Sequence, residues 1–121
     1  MSNTFEIAVA LDPNAVRDAT HRQLEGHGFR ISWTDQWHAI AERGSAAGAF
    51  FGGVVTPHYK LEVQLMSGPD GSTIVRLGRD AHTFTGSWTA RMRVNKEIER
   101  VTEELVQGFG SMGVLKGSRA A

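Results

Sequence analysis

The chain has 121 residues, the length of one ordinary domain, and its thirteen Lys and Arg residues balance thirteen Asp and Glu residues. A formal net charge of zero gives it no overall attraction for nucleic acid or an anionic membrane. The absence of cysteine excludes disulfides, zinc–thiolate sites and a cysteine nucleophile. No apolar run reaches the ~20 residues of a spanning helix, so we expect no stable membrane insertion. We expect one cytoplasmic domain over residues 1–121 that holds no cofactor.

The first third of the chain alternates between extended and helical patterns. Apolar and other residues alternate over residues 5–11, which predicts a strand with one buried face. Asp12 is a favoured N-cap residue, so we expect a helix over residues 13–25, which carries only a thin apolar stripe. Alternation resumes over residues 29–34 and 37–43 and predicts two further strands.

Residues 59–77 give the clearest pattern in the sequence. Apolar residues alternate over residues 59–66 and again over 73–77, with a glycine- and proline-containing break between them. A hairpin follows if residues 69–71 form its loop, with Pro69 and Asp70 right-handed and Gly71 at positive φ. That loop sets the register and predicts three facing pairs: Leu65 with Val75, Gln64 with Arg76, and Val63 with Leu77.

A glycine-rich segment over residues 44–53 separates the third strand from the hairpin. It contains Phe50 and Phe51, which we expect to be tucked under the sheet edge as the chain crosses between strands. The alternatives are a close helix contact through small residues, a lid over a pocket, and a loop that touches a membrane.

A long helix is predicted over residues 87–107. Its apolar stripe recurs at helical spacing and consists of Ala90, Val94, Ile98, Val101 and Leu105. Glu97 and Glu104 each follow an arginine by four residues, as is typical of solvated ion pairs. Beyond the helix, residues 116–121 are expected to form a loose tail.

The predicted order is therefore strand, helix, four strands and helix. We expect a two-layer α+β domain in which both helices lie on one face of a curved antiparallel sheet of five strands. This order resembles that of the TATA-box-binding-protein-like fold and, more distantly, that of helix-grip domains. The resemblance implies a fold only, because it rests on element order and carries over no functional residue.

Aromatic residues define a first candidate site, a hydrophobic pocket between the C-terminal helix and the sheet. Large aromatic side chains anchor cores, but they also line pockets for small apolar ligands. The candidate ligand-binding residues are Trp33, Trp37, Tyr59 and Trp88, with Phe50 and Phe51 as a lid.

An enzyme built on the same pocket is the least favoured hypothesis. Of the five histidines, only His38 and His58 fall on strands that can converge, and either one is a candidate general base. No nucleophile, metal-ligand set or pair of carboxylates stands out in the sequence, so the chain leans away from catalysis and metal binding.

The side of the sheet away from the helices is the favoured candidate. It is predicted to present apolar residues within a surface of mixed charge, and the candidate interface residues are Ile40, Met66, Ile74 and Arg76. Glu6, Glu42 and Glu62 would face the phosphates of a nucleic acid there, which disfavours such a partner. We therefore expect a non-enzymatic binding domain that self-associates through this face or through an edge strand, as a homo-oligomer.

Overall fold

The computed structural model describes residues 4–43, 59–79 and 88–120, and for residues 59, 79 and 88–94 it describes the backbone alone. The described elements are β1 (Phe5–Val9), α1 (Pro13–Gly26), β2 (Arg30–Trp33), β3 (His38–Arg43), β4 (Tyr59–Ser67), β5 (Thr73–Arg79), α2 (Trp88–Ser111) and β6 (Leu115–Ala120). The predicted α+β class, the two helices and the order of the seven predicted elements are confirmed. The glycine-rich segment over residues 44–53, with Phe50 and Phe51, lies outside the described residues.

The strands form one open antiparallel sheet in the order β2-β3-β4-β5-β1-β6. The described sheet has six strands where the sequence predicted five. The additional strand, β6, comes from the segment that was expected to be a loose tail, and it pairs antiparallel with β1. Its sequence is polar and contains Gly117, so it lacks the apolar alternation by which a strand is recognised.

The hairpin between β4 and β5 has the predicted register. Leu65 lies opposite Val75, Gln64 opposite Arg76, and Val63 opposite Leu77. The loop differs in one detail, because Asp70 adopts left-handed backbone angles (φ 56°, ψ 35°) in addition to Gly71 (φ 74°). Aspartate tolerates this region better than most residues, since its short side chain can hydrogen-bond locally.

Both helices pack on the same face of the sheet around one hydrophobic core. Asp12 caps α1, since its side chain accepts a hydrogen bond of 3.0 Å from the backbone N–H of Ala15. Helix α2 continues to Ser111, four residues past its predicted end, despite Gly108 and Gly110. Phe109 explains the extension, because it is fully buried and its packing outweighs the weak helix propensity of the flanking glycines.

The alternation of the strands therefore separates two unlike surfaces. Side chains that point toward the helices are buried in the core, whereas those that point away are polar or partly exposed. No described helix is both long and apolar enough to cross a membrane.

Candidate functional site

The open face is the side of the sheet opposite α1 and α2. Strand alternation and register place sixteen described residues on it: Glu6, Ala8, Arg30, Ser32, His38, Ile40, Glu42, Lys60, Glu62, Gln64, Met66, Ile74, Arg76, Gly78, Gly117 and Arg119. Four basic side chains on this face (Arg30, Lys60, Arg76 and Arg119) stand against three acidic ones (Glu6, Glu42 and Glu62), so the surface is nearly neutral.

One line of facing residues across four strands, which we term the apolar row, has no charged member. Met66 of β4 lies opposite Ile74 of β5, Ile74 lies opposite Ala8 of β1, and Ala8 lies opposite Gly117 of β6. These four residues line a groove of about 490 Å³ beside the β4–β5 turn, and Glu6 and Arg119 line it as well. Because Ala8 and Gly117 are small, the groove has bulky side chains on one half and a depression on the other.

The adjacent line, the charged row, alternates in sign. Arg76 of β5 lies opposite Glu6 of β1, and Glu6 lies opposite Arg119 of β6, while Gln64 of β4 flanks Arg76 on its other side. Glu6 Oε1 accepts hydrogen bonds from Arg119 Nε at 3.0 Å and from Arg119 Nη2 at 2.9 Å. This pair was not anticipated from the sequence, because its detection depends on the pairing of β6 with β1.

The four candidate interface residues are not all neighbours. The structure brings Met66, Ile74 and Arg76 together on β4 and β5. Ile40 stands apart on β3, where its cross-strand neighbours are Ser32 and Glu62. Met66 and Ile74 therefore line the groove, Arg76 lies in the adjacent row, and Ile40 is a separate apolar residue on the same face.

His38 is held by a carboxylate at the margin of the open face. Its Nδ1 lies 2.9 Å from both Asp35 oxygens, and Asp35 Oδ1 also accepts a 2.8 Å bond from the Trp37 backbone N–H. The bond from the Trp37 N–H, and then that from His38, lower the pKa of Asp35, which is therefore ionised at neutral pH. Since a carboxylate only accepts hydrogen bonds, His38 Nδ1 carries a proton and donates to Asp35. The other ring nitrogen, Nε2, takes no part in this contact.

Trp33 packs against α1 and has its polar group satisfied within the chain. Its Nε1–H donates a 3.0 Å hydrogen bond to His21 Nδ1, and the Arg17 guanidinium lies 4.3 Å from the ring centroid. His21 Nε2 in turn lies 3.3 Å from Glu25 Oε1. The indole thus anchors β2 to α1, as expected of a core residue, with His21 as its hydrogen-bond partner.

Of the other members of the aromatic candidate site, the structure describes the side chain of Trp37. Trp37 is partly buried and packs against the hydrophobic core. The side chains of Tyr59 and Trp88 are outside the described part of the structure, as are Phe50, Phe51 and His58. Because only Trp33 and Trp37 of this set are described with their side chains, the ligand pocket between the C-terminal helix and the sheet stays a prediction.

A charged cluster joins the end of β3 to α2. Glu97, expected on a solvated surface, is 10% exposed and accepts hydrogen bonds from Arg43 Nη2 and from Arg100 Nε and Nη2. Arg100 also donates to Glu104 at 2.6 Å, which confirms that predicted pair, and Glu104 lies 3.0 Å from His27 Nδ1. The solvated assignment of Glu97 was wrong because Arg43, its partner, is distant in sequence and reaches it only in the folded chain.

Comparison with known proteins gives no family model that matches this sequence, and no curated protein matches it significantly. Within residues 4–43, 59–79 and 88–120, no three His, Asp or Glu side chains converge as a metal site would require.

Proposed function

We propose that this chain is a non-enzymatic binding domain that self-associates through the open face of its sheet. The observation that carries the proposal is the groove over the apolar row, in which Met66 and Ile74 lie beside the small residues Ala8 and Gly117. Burial of partly exposed apolar side chains is the main driving force for association. The groove offers such side chains in a continuous strip, whereas scattered apolar residues would not.

The charges around the groove support a second copy as the partner. Acidic and basic residues alternate across the charged row, so a strongly anionic or cationic partner would meet repulsion at every second position. A partner with the same alternation can pair each charge with its opposite. Self-association satisfies that requirement without any other molecule.

Two other functions are less well supported by the described residues. Ile98, Val101, Leu105 and Phe109 of α2 are fully buried, so this part of the helix packs directly onto the sheet and supports the open face over an internal ligand pocket. Asp35 orients His38 in a way that suits a general base, but both side chains are exposed and neither lies in the groove. The small apolar ligand and the enzyme remain secondary hypotheses.

Replacing Ile74 by aspartate should weaken self-association by at least about 100-fold, because a charge would then be buried in the apolar row of each copy. Sedimentation velocity of the purified protein over a range of concentrations measures the dissociation constant directly. Asn14→Asp is the matched control, since it adds the same charge at an exposed position on α1.

The proposal requires that Asn14→Asp associates like the unaltered protein while Ile74→Asp does not. Equal association by both variants would show that the groove is not the contact surface. Thermal unfolding followed by circular dichroism establishes that each variant is folded before it is compared.

A further inference from the structure

We propose that two copies of this chain pack face to face about a two-fold axis that runs along the strands, between β5 and β1. In this arrangement Arg76 of one copy lies over Glu6 of the partner subunit, and Ile74 lies over the partner's Ala8. The inference rests on the proposed function and specifies its partner and geometry, which the open face alone does not determine.

The symmetry follows from the order of the strands. An axis between β5 and β1 exchanges those two strands and also exchanges β4 with β6. In the charged row it sets Arg76 over the partner's Glu6 and Gln64 over the partner's Arg119. Each basic residue thus meets an acceptor, and the Arg76 contact forms twice because the interface is isologous.

The apolar row is complementary under the same operation. Ile74 lies over the partner's Ala8, and Met66 lies over the partner's Gly117, so each bulky side chain faces a small one. Sheets that pack face to face lie about 10 Å apart and interdigitate their side chains, which requires such large-to-small pairing. Their usual crossing angle of about 30° shifts outer pairs more than the central ones.

Other positions of the axis are less favourable. An axis along β5 would set Arg76 over the partner's Arg76, and an axis along β1 would set Glu6 over the partner's Glu6. Like charges would then face each other. An axis between β4 and β5 would set Met66 over the partner's Ile74, bulky against bulky. An axis across the strands would set each strand over the same strand of the partner subunit. Arg76 would then face β5 of the partner subunit, which contains no acidic residue.

The hydrogen bonds of the charged row are compatible with this contact. Both bonds from Arg119 end on Glu6 Oε1, and no described residue donates to Glu6 Oε2. Arg76 is exposed, and the described residues provide no ion pair for its guanidinium. An acceptor and a donor are therefore both available at the position where the axis brings them together.

The expected contact is small. Four strands about 4.8 Å apart and two rows, each about 7 Å deep along the strands, cover about 20 Å by 14 Å, below the roughly 800 Å² per partner of a standard interface. Strands β2 and β3 lie outside it, so Ile40 stays uncovered. The dimer should thus be weak and reversible, and Ile40→Asp should leave it intact.

The test is a charge exchange between two separately purified variants. Arg76→Glu alone would face the partner's Glu6, and Glu6→Arg alone would face the partner's Arg76, so each should weaken homodimerisation by about 100-fold. When the two variants are mixed in equal amounts, one contact of the mixed dimer pairs the two introduced side chains and the other keeps the original Arg76–Glu6 pair. Mixing should therefore restore the dimer, as measured by sedimentation velocity.

A second pair of variants, Ile74→Ala and Ala8→Ile, applies the same logic through side-chain size and serves if a charge variant fails to fold. Ile74→Ala alone would leave a gap at both contacts, and Ala8→Ile alone would set isoleucine against isoleucine. In the mixed dimer each contact again has one large and one small side chain, so association should return.

Restoration by mixing, together with an unaffected Ile40→Asp variant, would establish the proposed axis. If the unaltered protein dimerises but neither mixture restores association, the axis is wrong while self-association through the open face stands. If the unaltered protein stays monomeric up to millimolar concentration, the proposed function fails and the inference fails with it.

Discussion

Replacing Phe109 by alanine is expected to lower the free energy of unfolding by about 3–5 kcal/mol. Phe109 has no exposed surface and is among the largest fully buried side chains of the described core. Its removal leaves a cavity at the end of α2, where the Phe109 carbonyl also accepts a hydrogen bond from Val114 as the chain turns into β6. Since small domains are stable by only about 5–15 kcal/mol, this loss is a large fraction of the total.

Urea denaturation followed by tryptophan fluorescence measures the effect. The matched control is Gln107→Ala, which truncates an exposed side chain on the same helix and should change the free energy by less than about 0.5 kcal/mol. A Phe109→Ala variant as stable as this control would mean that the end of α2 does not cover the sheet as described.

The second large effect is expected at Glu97. Glu97→Gln should lower the free energy of unfolding at neutral pH by about 2 kcal/mol, because hydrogen bonds to charged groups are worth about 1.5–3 kcal/mol each and two cations lose their common anion. Arg43 and Arg100 would be left beside each other without the carboxylate that lies between them. The effect is smaller than that of an uncompensated buried charge, since both arginines are partly exposed.

The contribution of Glu97 should depend on pH in a defined direction. Burial opposes ionisation of Glu97, but the hydrogen bond from Arg100 and the positive charges of Arg43 and Arg100 outweigh it, so its pKa lies below the ordinary 4.5. The unfolded state therefore binds the proton more readily, and the stabilisation is present above pH 4.5 and is lost as the pH falls through the lower folded-state pKa.

Denaturation curves at neutral and acidic pH test this dependence. The difference between the unaltered protein and Glu97→Gln should shrink as the pH falls below 4.5. Glu99→Gln is the control, because Glu99 is exposed on the same helix. A stability difference that is absent at neutral pH, or that stays constant into acid, would contradict the role given to the cluster.

The sequence predicted those features that local pattern determines. The hairpin register followed from the loop at residues 69–71 together with the alternation on either side of it, because a slip by one residue would turn Leu65 or Val75 to the opposite face of the sheet. The apolar stripe of α2 was also predicted from its helical spacing, and Ile98, Val101 and Leu105 are all buried in the core. These elements also located Met66, Ile74 and Arg76 on the open face.

Features that depend on long-range pairing were not predictable. Strand β6 is short and polar and exists through its pairing with β1, so the Gly117 end of the apolar row and the Glu6–Arg119 pair had no local signal. Helix α2 continues beyond Gly108 because Phe109 is buried. Helix propensity alone does not predict that burial. The pairing of Glu97 with Arg43 likewise depends on a contact across 54 positions.

The most direct test of the central claim, that the helices shield one side of the sheet and the other side binds a second copy, is a dilution series followed by backbone amide NMR. From about 1 mM to about 10 μM, a range that spans weak association, we expect concentration-dependent shifts for Met66, Ile74 and Arg76. The resonances of Asp18 and Arg22, which are exposed on α1, should not move. Unchanged spectra throughout, or shifts confined to the helices, would contradict the claim.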